Sequence, residues 1–209
     1  MFLVALTGGI ASGKSTVCGM LEEKGAFVVE TDLLAREVVR KGEPAWKEIV
    51  EHFGDTVLDA EGEIDRARLA QIVFADEVER AFLNRVTHPR IFQLMFERLR
   101  AWEGANGSEG VAILDIPLLV EAKAGDMFDF TLVVDAPPEL QAERLVNDRD
   151  STSEEAWARI RSQVSREERL KHADFVIRNE GSIEDLRREV DRAWEAISSR
   201  AEALRQGGS

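Results

Sequence analysis

The feature that most constrains this chain is an eight-residue stretch near its N-terminus, Gly8-Gly9-Ile10-Ala11-Ser12-Gly13-Lys14-Ser15. It matches the phosphate-loop pattern G-x-x-x-x-G-K-[ST] at every fixed position. The apolar residues 2–6 before it predict a buried strand, and residues 14–23 predict a helix. Because the pattern is meaningful between a strand and a helix, this setting makes an ordinary glycine-rich turn the weaker interpretation.

The residues of this loop have the chemistry that binds a nucleoside triphosphate. Glycines let backbone N–H groups turn toward phosphate oxygens, and the positive end of the following helix points at the same anion. Lys14 is predicted to reach the β- and γ-phosphates, and the hydroxyl of Ser15 is predicted to bind Mg²⁺. We therefore predict a nucleotide site at the start of the first helix.

The length and net charge of the chain limit the classes of protein to which it can belong. The chain has 209 residues, enough for one α/β domain with insertions. Its net charge of −13 argues against a nucleic-acid or anionic-membrane partner. No apolar run approaches the roughly 20 residues of a membrane-spanning helix, and the N-terminus has no basic leader. Cys18 is the single cysteine, which excludes an internal disulfide. A cytoplasmic location is expected.

Apolar strands alternate with helices along the chain, which predicts an α/β fold with a parallel sheet covered on both faces. After the first strand, we predict strands at residues 26–29, 111–114, 130–134 and 175–177. Chemistry in such sheets collects at the carboxyl ends of the strands. The candidates at this edge are the phosphate loop, Asp32, Asp115 and Asn179.

A first helical insertion separates the second and third predicted strands. Pro44 suits a first helical turn, and Asp65 and Asp76 suit N-caps. His88-Pro89 is predicted to begin a long helix over residues 90–102, and residues 104–108 are predicted to form a loop. We find no convincing strand between residues 33 and 104.

A second insertion follows the fourth predicted strand. Pro137-Pro138 is predicted to begin one helix, and residues 151–154 to cap another that carries Trp157, Ile160 and Val164. Residues 159–171 contain five basic and two acidic side chains. This pattern is typical of a lid that closes over phosphates, and a solvated pair of amphipathic helices is the alternative. Ser182 is predicted to cap the closing helix.

Asp32, just after the second predicted strand, has two interpretations. A carboxylate there accepts the hydroxyl proton when a phosphoryl group moves to an alcohol, or it caps a helix that starts at Leu33. Its position does not separate the two. Asp115 is also open, because it either holds the water shell of Mg²⁺, orients Ser15, or is only an electrostatic neighbour.

Over nearly its whole length the chain resembles the dephospho-CoA kinases. The phosphate loop alone fits many kinases, whereas the His-Pro, Pro-Leu-Leu and Ala-Asp-Phe-Val-Ile elements together are far more specific. The matching residues are the loop with Thr16, Thr31-Asp32 with Ala35-Arg36, Thr87-His88-Pro89, Pro117-Leu118-Leu119 with Glu121, Gln141 with Arg144-Leu145, Arg149, Gln163, Ala173-Asp174-Phe175-Val176-Ile177 and Asn179.

The resemblance implies a P-loop NTPase-type α/β fold, with a five-stranded parallel sheet flanked by helices, an inserted helical acceptor domain and a helical lid. Residues 1–32, 111–136 and 173–206 would form the core, residues 33–110 the acceptor domain and residues 137–172 the lid. ATP and Mg²⁺ would be used to phosphorylate the ribose 3′-hydroxyl of dephospho-CoA, the last step of coenzyme A synthesis. A monomer is expected.

The same resemblance implies roles for individual residues. Asp32 would be the general base, acting with Lys14 and Arg144, and Ser15 would bind the metal. Asp32, Arg36, His88, Pro117 and Leu118 would bind the acceptor, although a structural helix start remains the alternative for His88. ATP would bind to Gly9, Ile10, Ala11, Ser12, Gly13, Lys14, Ser15, Thr16, Arg149 and Asn179.

Two positions depart from the family pattern. Glu30-Thr31-Asp32 stands where the family often has Asp-x-Asp, which leaves the role of Glu30 open. Ala11 stands where glycine is common. We expect alanine to keep the loop geometry and ATP binding, on the condition that its φ is negative.

Two alternative functions follow from the loop. Another small-molecule P-loop kinase, for a nucleoside monophosphate or a sugar, would share the loop and lid, but the long helical insertion and the His-Pro and Pro-Leu-Leu elements argue against it. A nucleotide-dependent switch or motor needs an Asn-Lys-x-Asp or Asp-x-x-Gly motif. The first does not occur, and the stretch from Asp126 to Asp129 lacks the final glycine. The match to the second pattern at residues 59–62 does not follow a predicted strand.

Overall fold

A computed structural model describes residues 1–120, 125–149 and 152–207. A five-stranded parallel sheet has the order β2-β3-β1-β4-β5. Its strands are β1 (Phe2–Gly8), β2 (Phe27–Glu30), β3 (Val111–Asp115), β4 (Phe130–Asp135) and β5 (Phe175–Arg178). The helices are α1 (Lys14–Glu22), α2 (Thr31–Glu37), α3 (Pro44–Phe53), α4 (Arg66–Ala75), α5 (Glu77–Asn106), α6 (Pro138–Arg149), α7 (Ser153–Arg161), α8 (Arg166–Leu170) and α9 (Ile183–Gly207). Short 3₁₀ turns occupy Asp55–Val57 and Gly125–Met127.

The sheet confirms the predicted fold class and all five predicted strands. β1 is hydrogen-bonded on both edges, to β3 and to β4. Its pairing with β4 continues to Gly8, which lies opposite Val134. The strand is therefore longer than its apolar run, because the ladder carries Thr7 and Gly8 beyond Leu6.

The chain divides into two compact units, Met1–Val29 with Glu103–Ser209, and Glu30–Trp102. In the first unit, α1 and α9 pack together, and α9 also contacts β5. Their buried side chains join those of the sheet in one core, as expected for apolar strands covered by amphipathic helices. The long α9 begins after Ser182, whose hydroxyl accepts the N–H of Asp185, so the predicted cap is confirmed.

The second unit is helical and has its own core, built around Ala45, Ile49, Val57, Leu69 and Val86. Apart from the single bridge between Leu58 and Ile64, its described residues form no strand after β2, as predicted.

Three predicted helix starts in this unit are confirmed. Pro44 occupies the first turn of α3. Asp65 caps α4, since its carboxylate accepts the N–H groups of Ala67 and Arg68 at 3.1 Å each. Asp76 accepts the N–H of Val78 at 2.7 Å where α5 begins.

The prediction that His88-Pro89 begins a helix is wrong, because α5 starts eleven residues earlier and contains Pro89 in its interior. Proline cannot donate the backbone hydrogen bond that an interior position normally makes. Side chains supply extra bonds on either side of it: the Thr87 hydroxyl donates to the carbonyl of Leu83 at 2.9 Å, and the Arg90 guanidinium donates to that of Val86. Burial of Val86, among other residues of this helix, favours continuity over a break.

The predicted loop at residues 104–108 is shorter than expected. α5 continues through Asn106, and Gly107 then adopts a φ of 85°. Glycine is the residue that enters this left-handed region without steric cost, so Gly107 suits the position just after the end of the helix.

The second insertion contains three helices. α6 begins at Pro138 and Thr152 caps α7, both as predicted. The structure adds a reciprocal capping box between Thr152 and Glu155. Ser151, the first residue of the predicted cap, lies outside the described residues, as does Glu121. Val164 was expected on the helix of Trp157, but it lies after the end of α7.

None of the helices in the described ranges combines the length and the hydropathy that a membrane-spanning segment needs.

The cap of α4 gives a stability prediction. Asp65→Ala leaves the N–H groups of Ala67 and Arg68 without their acceptor, so we expect the free energy of unfolding to fall by about 1 kcal/mol. Urea unfolding followed by circular dichroism measures the loss. Glu51→Ala, at an exposed position of α3, is the control. Equal stability of the two variants would contradict the capping role.

Candidate active site

The phosphate loop joins the central strand of the sheet to the first helix. Gly13 is the N-cap of α1 and has a φ of 94°, so the loop enters the helix through a left-handed residue. A Cβ at this position would lie 2.1 Å from Nδ2 of Asn179. Only glycine satisfies both conditions. The positive end of α1 thus lies at the carboxyl end of β1, as an anion site requires.

A cavity of about 450 Å³ opens at this loop. It brings together many of the sequence-predicted nucleotide residues with a segment at the start of α9 that sequence reasoning missed. That segment directly follows Asn179, and its place after the last strand was the available signal. The lining residues are Ala11, Ser12, Gly13, Lys14, Ser15, Thr16, Arg144, Asn179, Gly181, Ser182, Ile183 and Leu186.

Two loop carbonyls are held by side chains from other elements. Nη1 of Arg144, on α6, donates to the carbonyl oxygen of Ala11 at 3.2 Å. Nδ2 of the buried Asn179 donates to the carbonyl oxygen of Ser12 at 2.8 Å. Nη2 of Arg144 also donates to the backbone carbonyl of Asn179 at 3.0 Å and to its Oδ1 at 3.4 Å, so the two side chains support each other. These bonds occupy two backbone oxygens in the second half of the loop.

Two glutamines hold the first half of the loop. Oε1 of Gln163 accepts the N–H of Ile10 at 2.9 Å. The buried amide of Gln141 lies against Gly9, where an added Cβ would be 2.8 Å from its Nε2, and the same nitrogen donates to the carbonyl of Ala136. Both glutamines are among the residues that match the family pattern in the sequence, but the sequence alone gave them no role. We call the contacts of Gln141, Arg144, Gln163 and Asn179 with the loop the loop brace.

Ala11 does not have the negative φ on which we based the prediction that alanine keeps the loop geometry. Its φ is 56°, a left-handed value, and it is the one non-glycine residue of the described chain with positive φ. The condition of a negative φ is therefore not met. The methyl group of Ala11 packs with Leu145 and Ala156 in a small cluster between the loop, α6 and α7. Alanine carries the steric strain of this conformation while adding an apolar contact.

An ion pair with a buried carboxylate lies at the end of β4, next to the strand that carries the loop. Asp135 is 4% exposed, and its two carboxylate oxygens accept from Nε and Nη2 of Arg166 at 2.9 and 2.6 Å. Hydrogen bonding to this carboxylate raises the pKa of the Arg166 guanidinium. Sequence reasoning missed the pair, although Asp135 ends a predicted strand.

The end of β3 carries Asp115, Pro117 and Leu118. Asp115 is buried and lies opposite Leu6 of β1 in the sheet register. The Thr7 hydroxyl, one residue before the loop, donates to the carbonyl of Pro117 at 3.3 Å. Leu118 is half exposed. This turn is thereby attached to the strand that leads into the phosphate loop.

Asp32, Arg36 and His88 belong to the helical unit. Asp32 is the second residue of α2, and the N-cap position is Glu30, so the alternative that Asp32 caps a helix starting at Leu33 is wrong. Asp32 and Arg36 are exposed and lie four residues apart, on one face of α2. His88 is exposed in the middle of α5, and its interpretation as a helix start is wrong.

Arg149 is the last residue of α6, and its side chain lies outside the described part of the structure. Among the described residues, no three His, Cys, Asp or Glu side chains form a group that could hold a metal ion.

Comparison with known proteins gives a consistent result. A family model described as dephospho-CoA kinase matches residues 2–185. A dephospho-CoA kinase from Thermobifida fusca is 46% identical over 201 residues, which cover 96% of this chain and 98% of the relative. A crystal structure of a Thermus thermophilus protein aligns at 34% identity and a TM-score of 0.82, over 95% of this chain and 96% of that one. The dephospho-CoA kinase from Campylobacter jejuni aligns at 30% identity and a TM-score of 0.68, over 94% and 97%.

The backbone of Ala11 gives a binding prediction. A β-branched side chain at positive φ is strongly disfavoured, so Ala11→Val should shift the loop and weaken ATP binding by about tenfold or more. Ala11→Gly removes the strain and should bind ATP within about threefold of the natural chain. Titration with a fluorescent ATP analogue measures both.

Ala101→Val, at an exposed position of α5, is the matched control for the added methyl groups. ATP binding by Ala11→Val that equals binding by this control would show that the left-handed conformation does not matter for the site.

Proposed function

We propose that this chain, which belongs to the dephospho-CoA kinase family, transfers the γ-phosphoryl group of ATP to the ribose 3′-hydroxyl of dephospho-CoA. The products are coenzyme A and ADP, and the reaction is the last step of coenzyme A biosynthesis. The observation that carries the proposal is the braced phosphate loop at the end of β1, in a chain that the family model matches over residues 2–185.

The loop is suited to the donor side of this reaction. Phosphoryl transfer depends mainly on positioning and on stabilising negative charge as it spreads over the transferred group. Lys14 begins α1 and lines the cavity, where its ammonium group adds to the positive end of that helix. The bond between the γ-phosphorus and the bridging oxygen breaks, and ADP leaves with that oxygen.

Ser15 and Asp115 fit a magnesium ion bound together with the triphosphate. Mg²⁺ prefers a few oxygen ligands from protein, with the others supplied by phosphate and water. Ser15 offers an exposed hydroxyl in the first turn of α1, and the buried Asp115 offers a carboxylate at the end of the neighbouring strand. We assign Ser15 as the ligand, with Asp115 either orienting it or holding a ligand water. The ion would neutralise charge on the β- and γ-phosphates.

We assign Asp32 as the general base that accepts the proton of the ribose hydroxyl as its oxygen bonds to the γ-phosphorus. Asp32 follows the end of β2 by two residues, and reactive groups in parallel sheets collect beyond the carboxyl ends of strands. Arg36, one helical turn later, is proposed to bind the acceptor. His88, Pro117 and Leu118 are proposed to complete the acceptor site.

Arg144 and Asn179 are proposed to have two roles each. Both line the cavity and hold loop carbonyls, which positions the loop before ATP binds. Arg144 is also proposed to stabilise charge on the transferred phosphoryl group, together with Arg149. Asn179 is proposed to lie near the adenine, because the cavity continues from it to the start of α9.

The three-part division of the chain remains part of the proposal. Residues 33–110 would bind the acceptor, residues 137–172 would act as a lid, and the remaining core would bind ATP. We also propose that the protein is a monomer. The net charge of −13 supports small-molecule rather than nucleic-acid partners. We propose the cytoplasm as the location.

The comparisons do not favour the alternative of a nucleoside monophosphate or sugar kinase. An acceptor assay separates the two directly. Purified protein with ATP, Mg²⁺ and dephospho-CoA should form coenzyme A and equimolar ADP, measured by chromatography.

In the same assay Lys14→Ala should bind and use ATP poorly, because the positive charge that Lys14 places on the transferring phosphate is lost. Phosphorylation of a nucleoside monophosphate but not of dephospho-CoA would refute the proposal.

The assignment of Asp32 predicts a specific kinetic defect. Asp32→Asn keeps the shape of the side chain and removes the proton acceptor, so we expect kcat to fall by about 100-fold or more while ATP binding is unchanged. Steady-state kinetics and ATP titration measure the two effects. Asp55→Asn, an exposed position in the same unit, is the control. Near-normal turnover by Asp32→Asn would exclude Asp32 as the base.

A further inference from the structure

Gln163 connects the segment between α7 and α8 to the phosphate loop. Its Oε1 lies 2.9 Å from the backbone nitrogen of Ile10, although the two residues are 153 positions apart in the chain. A backbone N–H can only donate, so the amide oxygen of Gln163 faces the loop. The contact is partly buried, which favours its persistence in water.

The contact restrains the part of the loop that the other side chains do not hold by hydrogen bonds. Arg144 and Asn179 bind the carbonyls of Ala11 and Ser12, in the second half of the loop. Gln163 binds the N–H of Ile10, directly after two glycines. Glycines leave the backbone with many accessible conformations, and ordering them on ligand binding costs affinity. A bond at Ile10 reduces that cost before ATP arrives.

Gln163 is itself anchored to the sheet. Arg166, three residues later, forms the bidentate ion pair with the buried carboxylate of Asp135 at the end of β4. Ser165, between them, caps α8 by accepting the N–H of Glu168 at 3.1 Å. The segment that carries Gln163 is therefore attached to the strand next to β1, and the side chain reaches Ile10 from a defined position.

We propose that Gln163 is a positioning residue of the ATP site. Its amide oxygen holds the Ile10 N–H, and thereby the first half of the phosphate loop, in the conformation that receives the triphosphate. This inference rests on the proposed function only in requiring that the loop binds ATP, and it does not depend on which acceptor is phosphorylated.

A neutral amide is better suited to this position than a carboxylate of the same shape. Glutamate would also accept the Ile10 N–H, and a charged acceptor would bind it more strongly. It would, however, add a negative charge beside a site for a highly negative ligand, which opposes ATP binding most strongly at low salt. Gln163→Ala and Gln163→Glu therefore separate two requirements, a held loop and a neutral acceptor.

The experiment measures both variants in the full-length chain. Hydrogen exchange of the peptide that contains residues 8–12 reports whether the loop is held, and titration with ATP and Mg²⁺ reports binding. Steady-state kinetics separate KM for ATP from kcat. Gln71, an exposed residue of α4, supplies the matched controls Gln71→Ala and Gln71→Glu. Thermal unfolding of every variant checks that it is folded.

For Gln163→Ala we expect faster exchange in the loop peptide and a KM for ATP raised by about 2- to 12-fold, as for the loss of one hydrogen bond, with kcat little changed. For Gln163→Glu we expect slow exchange to be retained, together with a raised KM that recovers toward the natural value as salt is added. A merely structural role would not produce this difference between the two variants, because Gln163→Glu would then have a normal KM for ATP.

Loop exchange and ATP binding in Gln163→Ala equal to those in Gln71→Ala would overturn the inference. Normal ATP affinity of Gln163→Glu at low salt would overturn the requirement for a neutral acceptor. If the natural chain binds ATP but makes no coenzyme A, the proposed acceptor is wrong, and the exchange and binding results still decide the role of Gln163.

Discussion

The hydrogen-bonded ladders on both edges of β1 are the constraint on which the rest of this structure depends. They hold the strand between β3 and β4 up to its last residue, Gly8, so that the phosphate loop begins from a fixed point. A strand at the edge of the sheet would leave that point free to shift. Because the neighbouring strands run parallel, their ends bring Asp115 and Asp135 to the same edge as the loop. The chemistry of the site follows from this shared edge.

A phosphate loop needs its N–H groups directed at the ligand and its carbonyl oxygens directed elsewhere. In this chain Arg144 and Asn179 bind two of those carbonyls. The N–H of Ile10 instead donates to Gln163, so it anchors the first half of the loop and does not face the ligand. The strain of Ala11 at a φ of 56° is a cost of the same arrangement, offset in part by packing of its methyl group against α6 and α7. Side chains outside the motif therefore hold the backbone conformation of the motif.

Local chemistry predicted the elements well where one strong signal dominated. The apolar runs predicted all five strands, and the short polar side chains of Asp65, Asp76 and Ser182 predicted helix starts, because a cap is made within three residues. The prediction failed at Pro89, where burial along α5 outweighs one missing backbone bond. It failed at Ala11 because nothing local indicates the sign of φ in a loop held by residues far along the chain.

By itself the sequence determined that the chain has a phosphate loop between a strand and a helix, an α/β sheet and a helical insertion, since each of these depends on residues that are neighbours in the chain. It also carried the motifs of the dephospho-CoA kinase family, to which the chain belongs. Only the tertiary structure decided which side chains hold the loop. Ile10 meets Gln163 across 153 positions, and Ala11 meets Arg144 across 133. Such contacts depend on which strands lie next to each other in the sheet, and no local pattern of residues encodes that spatial order.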